Sequence, residues 1–498
     1  MTFVYNFPFF CILLCMAAGI FTSILKQRTA KILTFAVSAV VFILSALTLR
    51  LTLQLDEAYP FMMGHFPAPW GNEIRIGRLE ALMATGFSAV ILISLIAGMW
   101  HTHSFVSEQK TNLYCIMIDL ALAAVLVLIY TNDLFTVYVF IEIMTIASCA
   151  LVVVRQNGHT LVAITRYMIM HLFGSGLLLM GIAMLYGITG HLLMMPLQEA
   201  VGNIVKTGEH LGPLTVVIAL ITAGLAIKSA MFPFHGWAPD TYAFAPPLSS
   251  AILSGIISKA YIFVLIKFFF RVIGLDVIVT QQITPFLFVC GVSGMIIGSI
   301  MAISQQDIRR MIAYSSVAQI GYIYLGLGIG TKAGVEAALF QMLVHAAVKS
   351  LLFLSTYELI NVSGDHKHFR YLHGAGYRNV PAGIVFTIAA MSMVGIPFTG
   401  GFIVKLNLAI SGIAIGGWVR ALVLIALALS TLLNSVYFLH TVVSIYRKPT
   451  QKLDYPEVQK MPPYVAAALI VSTMLIIYLG IGSEPILRVI ETGLKTFS

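Results

Sequence analysis

Five ionisable residues lie inside stretches of sequence that are otherwise apolar enough to cross a membrane. These residues are Glu142, Lys228, Lys259, Lys349 and Lys405. On insertion scales a charged side chain at the centre of a bilayer costs roughly 2.5–3.5 kcal/mol, so five charges facing lipid would cost more than about 10 kcal/mol. Each is therefore expected to pair, to lose its charge or to line a hydrated interior. Such groups can accept and release protons, so they form the candidate site.

Histidines extend this set of titratable residues. His345 and Lys349 are four residues apart, which places them on one face of a helix. Histidine titrates closest to neutral pH, so this pair is suited to a proton relay, although a core histidine with satisfied hydrogen bonds is the alternative. For Glu142 the alternative is a protonated carboxyl that is hydrogen-bonded in the core. His171 and His440 have no such partner in sequence and are predicted to be structural.

Two of the apolar stretches are interrupted by proline and glycine. Proline lacks an amide hydrogen and glycine lowers the cost of unwinding, so each stretch is predicted to be a broken helix with a lysine within eight residues of the break. Irregular backbone at membrane depth survives only where it is packed in protein or lines water. Paired breaks also point to an inverted repeat, whereas the simpler alternative is a kink beside a snorkelling lysine. The predicted broken-helix residues are Pro233, His235 and Asp240 in the first stretch and Pro397, Gly400 and Gly401 in the second.

The composition indicates a polytopic membrane protein. Of 498 residues, 59% are hydrophobic and 10% are charged, against about 25% charged in soluble domains. The net charge of +9 resides mostly in short loops, which favours an orientation signal over nucleic-acid binding and predicts both termini outside the cell. The five cysteines lack ligand or disulfide spacing and are predicted to be buried apolar residues. Several charges are predicted to be ordinary loop residues: Lys267, Arg271, Asp307, Arg309, Arg310, Lys452 and Lys460.

A span length of roughly 20 residues predicts about fourteen transmembrane helices. The approximate spans are 3–24, 31–52, 81–100, 113–131, 133–154, 163–188, 213–232, 246–270, 284–303, 310–330, 335–360, 381–404, 416–444 and 463–482. The chain from Glu484 is too short to span and is expected to lie along the surface.

Several motifs, taken together, resemble one family of ion-pumping subunits. The stretch Lys228-Ser-Ala-Met-Phe-Pro-Phe-His235-Gly-Trp-Ala-Pro-Asp240, followed by Ser258-Lys259-Ala-Tyr261, is similar to the central signature of the antiporter-like subunits of complex I. These subunits are related to Mrp-type sodium/proton antiporters and to membrane-bound hydrogenases. The resemblance covers about residues 110–445, and the length and motifs look most like the D subunit of Mrp antiporters or a hydrogenase-linked relative.

The resemblance implies an all-α fold of fourteen helices with two inverted five-helix repeats, each with a broken helix. It divides the chain into residues 1–110 (helices 1–3), 111–275 (first repeat), 276–445 (second repeat) and 446–498 (last helix and tail). It makes Glu142 and Lys228 the ion pair that gates one half-channel and Lys259 the central lysine. The connecting and terminal residues that it implies are His345, Lys349 and Lys405.

The function expected from these features is proton translocation, with or without sodium antiport, by a multi-pass subunit of the cell membrane. The expected partners are other membrane subunits, H⁺, Na⁺ and lipid, with no nucleic acid. No cofactor is expected, because the sequence has no metal cluster, Walker loop, dinucleotide-binding glycine pattern or nucleophile elbow. Redox chemistry in an NADH:quinone oxidoreductase, hydrogenase or Mrp complex would then belong to partner subunits. The alternative is a stand-alone transporter of an organic solute, with about twelve helices and one central binding site.

Overall fold

The computed structural model describes residues 2–63, 66, 72–280, 282–448 and 461–497, and most of them are helical. The helices in chain order are α1 (Phe7–Thr22), α2 (Gln27–Thr52), α3 (Arg78–Gly98), α4 (Thr111–Tyr130), α5 (Leu134–Val153), α6 (Gly158–Thr189), α7 (Met194–Thr207), α8 (Leu211–Lys228), α9 (Ala238–Phe244), α10 (Pro247–Ile273), α11 (Leu275–Thr280), α12 (Ile283–Ile303), α13 (Ile308–Gly328), α14 (Lys332–Asn361), α15 (Ala375–Arg378), α16 (Val380–Val394), α17 (Gly400–Ile415), α18 (Gly417–Tyr446), α19 (Pro463–Ile481) and α20 (Ser483–Lys495).

Twelve helices among the described residues are long and apolar enough to cross a membrane: α1–α6, α8, α10, α12, α14, α18 and α19. The shorter apolar helices α16 and α17 form the second broken span, and α13 fills the remaining predicted position. Each predicted span thus corresponds to a helix or to the α16–α17 pair. The prediction of an all-α, multi-pass membrane protein is confirmed. A small antiparallel hairpin, β1 (Tyr59–Met62) with β2 (Glu73–Ile76), joins α2 to α3.

Two helices form the centre of the molecule. The apolar windows of α10 and α14 are 100% buried, whereas those of α1, α2, α6 and α18 are at most 39% buried. A helix that is hydrophobic on all sides is stable only in such an interior or in lipid. Because Lys259 lies on α10 and both His345 and Lys349 lie on α14, the fold places three of the candidate residues on its two most enclosed helices.

The end of α10 corrects the prediction that Lys267 and Arg271 are loop charges. Both are buried. Lys267 donates to the carbonyls of Leu128 and Ile129 at the end of α4, at 3.2 and 3.1 Å, and Arg271 forms an ion pair with buried Glu80. Carbonyls at a helix C-terminus lack partners within the helix, so a lysine there satisfies them. The tail helix α20, which packs along α3 and α14, matches the expected surface segment.

The start of α13 also corrects the predicted loop charges. Arg309 is buried and donates to the Ala245 carbonyl and, at 2.9 Å, to the Ser250 hydroxyl, so it fastens α13 to the start of α10. Asp307 caps α13 by accepting from the backbone amides of Arg309 and Arg310 at 2.8 and 3.3 Å. Lys452 and Lys460 lie outside the described residues.

Candidate functional site

Glu142 and Lys228 form an ion pair between α5 and the end of α8. Lys228 Nζ lies 3.3 Å from Glu142 Oε1 and donates to Thr145 Oγ1 at 3.2 Å. It also lies 5.8 Å from the ring centroid of Tyr261. The lysine side chain is wholly buried, while 31% of the glutamate side chain is exposed. A buried ammonium is stabilised only by such partners, so its charge depends directly on this one carboxylate.

The first break in the chain explains the position of Lys228, because α8 ends at this residue. Pro233 precedes a 3₁₀ turn, Phe234–Trp237, which leads into α9. The Trp237 indole donates to the Ile227 carbonyl at 3.0 Å, one of the carbonyls left without a helical partner. The predicted interruption of this span is thus present in the structure.

The other two predicted residues of the first break lie away from the ion pair. His235 stacks on Phe232 with ring centroids 5.4 Å apart. Asp240 lies in the first turn of α9 and forms ion pairs with Arg166 at 2.8 Å and with Arg310 at 3.2 Å. These contacts connect α6, α9 and α13. Both residues therefore have a structural explanation, and Arg310 is not the simple loop charge predicted from the sequence.

His171 lies beside the ion pair, which the sequence did not indicate. The ring is fully buried in an aromatic enclosure: it stacks on Tyr167 at 3.8 Å and meets Trp237 edge to face at 4.7 Å, with Tyr261 at 6.0 Å. Neither ring nitrogen bonds to a group in the described residues. One turn later on α6, Ser175 donates a hydrogen bond to Glu142 Oε1. Helix α6 therefore supplies both the histidine beside the ion pair and a hydrogen-bond donor to its carboxylate.

Lys259 is held by its own helix. Its ammonium donates to the Ser254 carbonyl and to Ser258 Oγ at 3.2 Å. The residues before it, Leu253–Ile257, form a π-helical segment of α10. Such segments often occur at functional sites. The sequence located this lysine but gave no sign of the π-helical segment.

His345 and Lys349 share a face of α14, as predicted. Lys349 Nζ donates across to α13, to the Ile312 carbonyl at 2.8 Å and to Ser315 Oγ at 2.5 Å. His345 is buried and interacts electrostatically with both Lys349 and Lys259, and neither of its ring nitrogens has a bonded partner in the described part of the chain. The structure therefore brings Lys259, His345 and Lys349 together.

Uncharged polar residues continue from this group towards the second break. One turn before His345, Gln341 donates to Gln319 on α13 at 2.7 Å. One turn after Gln319, Tyr322 donates to Ser430 on α18 at 2.9 Å. The ring of Tyr322 faces Lys405, with the ammonium 5.5 Å from its centroid. Hydrogen-bonded neutral side chains cost much less to bury than charges, so hydropathy did not single out these residues.

Lys405 lies at the second break, which separates α16 from α17. Gly395 ends α16 with φ +88°, a conformation that favours glycine, and Pro397 follows in the connection. The Lys405 ammonium donates to the Val394 carbonyl at the end of α16. At the start of α17, a Cβ on Gly400 would lie 2.8 Å from Val344, and one on Gly401 only 1.8 Å from the Ser392 carbonyl oxygen. Gly401 lets the two broken ends pack closely, and Gly400 lets the start of α17 approach α14.

The site therefore has three parts. The Glu142–Lys228 pair forms one, the Lys259, His345 and Lys349 group on α10 and α14 forms the second, and Lys405 at the second break forms the third. Within the described residues, Lys405 makes no hydrogen bond to the other candidates; Gln341, Gln319 and Tyr322 lie between. A series of buried ionisable side chains in a multi-pass protein is a feature typical of ion-conducting membrane proteins.

Comparison with known proteins agrees with this class. Residues 131–432 match the family described as NADH:quinone oxidoreductase/Mrp antiporter, TM. The chain is 32% identical over 435 residues to NADH-quinone oxidoreductase subunit N of Desulforudis audaxviator, covering 86% of this chain and 84% of that protein. The chain belongs to this family, as the motif resemblance had indicated.

Two further comparisons extend over most of the chain. The D subunit of the Na(+)/H(+) antiporter of Alkalihalophilus pseudofirmus is 27% identical over 427 residues, with 86% of this chain and 83% of that protein covered. A chain of the membrane-bound sulfane sulfur reductase, an archaeal respiratory membrane complex, superimposes with a TM-score of 0.86 at 25% identity, covering 98% of this chain and 97% of that chain. The similarity thus includes the helices outside the family match.

Proposed function

We propose that the protein carries protons through the membrane along the three-part site, as a subunit of a multisubunit ion-translocating complex. The observation that carries this proposal is the Glu142–Lys228 pair, in which a wholly buried ammonium depends on a partly exposed carboxylate. The names of the similar proteins, a quinone oxidoreductase subunit, a sodium/proton antiporter subunit and a respiratory complex, support it. Sodium antiport, lipid contacts and assembly with other membrane subunits of the cell membrane belong to the proposal.

The first step is a change in the charge state of the pair. With Glu142 ionised, Lys228 is stabilised as a cation; when Glu142 is protonated or moves away, the ammonium keeps Thr145 as its hydrogen-bond partner among the described residues. Two unit charges about 4 Å apart interact by about 4 kcal/mol at an effective dielectric near 20. Losing that interaction makes Lys228 release its proton, and Lys259 on the central helix α10 is the acceptor that we assign to this step. No large helix motion is needed.

The second and third steps continue along α14 and α13. Lys259 passes its proton to His345, whose ring nitrogens have no bonded partner among the described residues, and Lys349 lies on the same face. An extra charge on one of these three groups disfavours a charge on the others, which drives the proton onward. Gln341, Gln319 and Tyr322 provide hydrogen-bonding groups between His345 and Lys405. Lys405 at the second break is the terminal acceptor.

The division into repeats fits the same proposal. Residues 111–275 contain the first broken span and 276–445 the second, and each break has a lysine near it. Lys228 is the last residue of α8, before the first break, and Lys405 lies on α17, after the second break, and donates to the last residue of α16. We infer that the two segments are inverted repeats with residues 1–110 and 446–498 added at the ends. Catalysis of any redox reaction is assigned to partner subunits.

Proton flux into vesicles that contain the intact complex tests this function. Lys349→Met removes a buried ammonium from α14, and we expect it to abolish flux. Lys332→Met is the matched control, because Lys332 is an exposed lysine at the start of the same helix. Complex assembly is checked by co-purification of the partner subunits with each variant. Equal flux in both variants, with equal assembly, would show that α14 does not conduct protons.

A further inference from the structure

Asp119 is a buried carboxyl group outside the proposed proton path. It lies in the middle of α4, is 0% exposed, and precedes the region matched by the family model. Its Oδ2 accepts a hydrogen bond from Thr34 Oγ1 on α2 at 3.0 Å. Its Oδ1 has no hydrogen-bond partner, and no lysine or arginine in the described part of the chain forms an ion pair with it. A lone buried carboxylate is costly, so this group is either protonated or balanced by a bound cation.

Hydroxyl groups from two other helices accompany this carboxyl. Thr22 at the end of α1 lies close to this carboxyl without a hydrogen bond to it, and Ser38 lies one turn after Thr34 on the same face of α2. All three hydroxyl side chains are fully buried, and those of Thr22 and Ser38 have no partner among the described residues.

Two buried hydroxyl groups near the end of α2 behave differently. Further along the helix, Thr48 and Thr52 donate to their own backbone, to the carbonyls of Leu44 and Leu49, both at 2.9 Å. Donating to its own helix is the usual way in which a buried hydroxyl is satisfied. The hydroxyls of Thr48 and Thr52 are thus satisfied within the helix, whereas those of Thr22 and Ser38 near Asp119 have no hydrogen-bond partner among the described residues.

We propose that Asp119, Thr34 and Thr22 bind one small monovalent cation of the Na⁺ class, in exchange for the carboxyl proton. The exchange is Asp119–COOH + Na⁺ → Asp119–COO⁻·Na⁺ + H⁺, so the buried site is neutral before and after. Carboxylate and hydroxyl oxygens are hard ligands suited to such an ion. A single carboxylate does not balance a divalent cation. The site shares no residue with the three-part site that runs from Glu142 to Lys405 (the Glu142–Lys405 series), and it does not rest on the proton transfer proposed for that series.

The groups around Asp119 that could titrate with it come from three helices. Cys15 faces it from α1 and Cys115 from one turn earlier on α4. Lys31, one turn before Thr34 on α2, interacts electrostatically with Cys115. Asn112 donates to the Leu25 carbonyl at 2.6 Å and closes the connection between α1 and α2.

The experiment measures sodium binding to the purified complex that contains this subunit. Bound ²²Na⁺ and thermal stability are followed at pH 8.5 and pH 6, with NaCl replaced by choline chloride or KCl at constant ionic strength. We expect Na⁺ to bind and to stabilise the protein at pH 8.5, and the effect to weaken at pH 6, where protons compete. Thr34→Val should weaken Na⁺ binding at least tenfold and Asp119→Asn should abolish it.

Thr48→Val is the matched control, because Thr48 is a buried hydroxyl on the same helix that bonds to its own backbone. It should bind Na⁺ as the wild type does. If Asp119→Asn does not assemble, the comparison of Thr34→Val with Thr48→Val decides. Stability that responds to pH but not to Na⁺, or Na⁺ binding that Thr34→Val leaves unchanged, would show that Asp119 is merely a protonated core residue. Proton flux through the Glu142–Lys405 series is measured separately, so the two proposals can fail independently.

Discussion

Lys228 and Glu142 are joined by a 3.3 Å contact whose two ends differ in exposure: the ammonium is wholly buried, and 31% of the carboxylate side chain is exposed. The exposed end can respond to a neighbouring protein, to water or to a proton. The buried end can respond only through the pair. A charge change at Glu142 is thereby converted into a change in the affinity of Lys228 for its proton.

Thr145 is the second polar partner of the Lys228 ammonium, at 3.2 Å. Thr145→Val keeps the side-chain shape but removes this acceptor. A hydrogen bond to a charged group contributes about 1.5 kcal/mol, so we expect proton flux to change by about tenfold. Thr165→Val is the control, because Thr165 is an exposed hydroxyl on α6. Wild-type flux in Thr145→Val vesicles would mean that the threonine does not share in holding the ammonium.

His171 is expected to act through its polarity, because its ring nitrogens are polar atoms inside the aromatic enclosure beside Tyr261 and Lys228. His171→Phe should assemble but conduct protons several-fold more slowly, since it makes the surroundings of the ammonium more apolar. His171→Gln retains polar atoms and should restore most of the flux. Flux of both variants is measured across a pH series, to separate a role of the ring's polarity from a role of its titration. A glutamine variant as slow as the phenylalanine variant would mean that the ring itself must titrate.

Gly401 should be intolerant of any side chain. Its added Cβ would lie 1.8 Å from the Ser392 carbonyl oxygen, which is backbone and cannot move aside cheaply. We expect Gly401→Ala to lower the yield of folded complex strongly in size-exclusion chromatography. Gly187→Ala is the control, because no atom of the described residues lies within 4 Å of a Cβ there. Equal yields from the two variants would contradict the close packing of the second break.

Asp240 is expected to matter for stability more than for conduction. Asp240→Asn weakens two ion pairs at once, with Arg166 and Arg310, and should lower the melting temperature more than Arg166→Gln does. Because Arg166 is largely exposed, the loss should be modest. Proton flux per assembled complex should stay close to the wild-type value. Abolished flux with an unchanged melting temperature would instead place Asp240 in the conduction path.

The parts that the sequence predicted are those with a large energetic signature. A lysine or glutamate inside an apolar stretch is expensive wherever it lies, and proline or paired glycines interrupt a helix regardless of its neighbours. Lys228, Lys405 and both breaks were therefore predictable from local sequence. The fold class followed from apolar length alone, and the helices agree with the predicted spans.

Two kinds of residue were missed. Gln319 and Gln341 join α13 to α14 by a contact between helices. Asp119 lies in an apolar stretch like the other buried charges and was overlooked, although its contact with Thr34, 85 residues away, depends on the fold. A hydrogen-bonded neutral amide costs much less to bury than a charge, so Gln319 and Gln341 were not singled out. Arg309 was misassigned because charges near a helix end look alike in sequence whether they face solvent or, as here, the protein interior.

The most direct test of the central claim is a double-mutant cycle on Glu142 and Lys228, with proton flux measured in vesicles containing the assembled complex. Glu142→Gln and Lys228→Met should each reduce flux at least tenfold. The double variant should be no slower than the slower single variant, because residues that act as a unit are not additive. Wild-type flux in either single variant, or fully additive losses in the double variant, would contradict a proton path that is controlled by this pair.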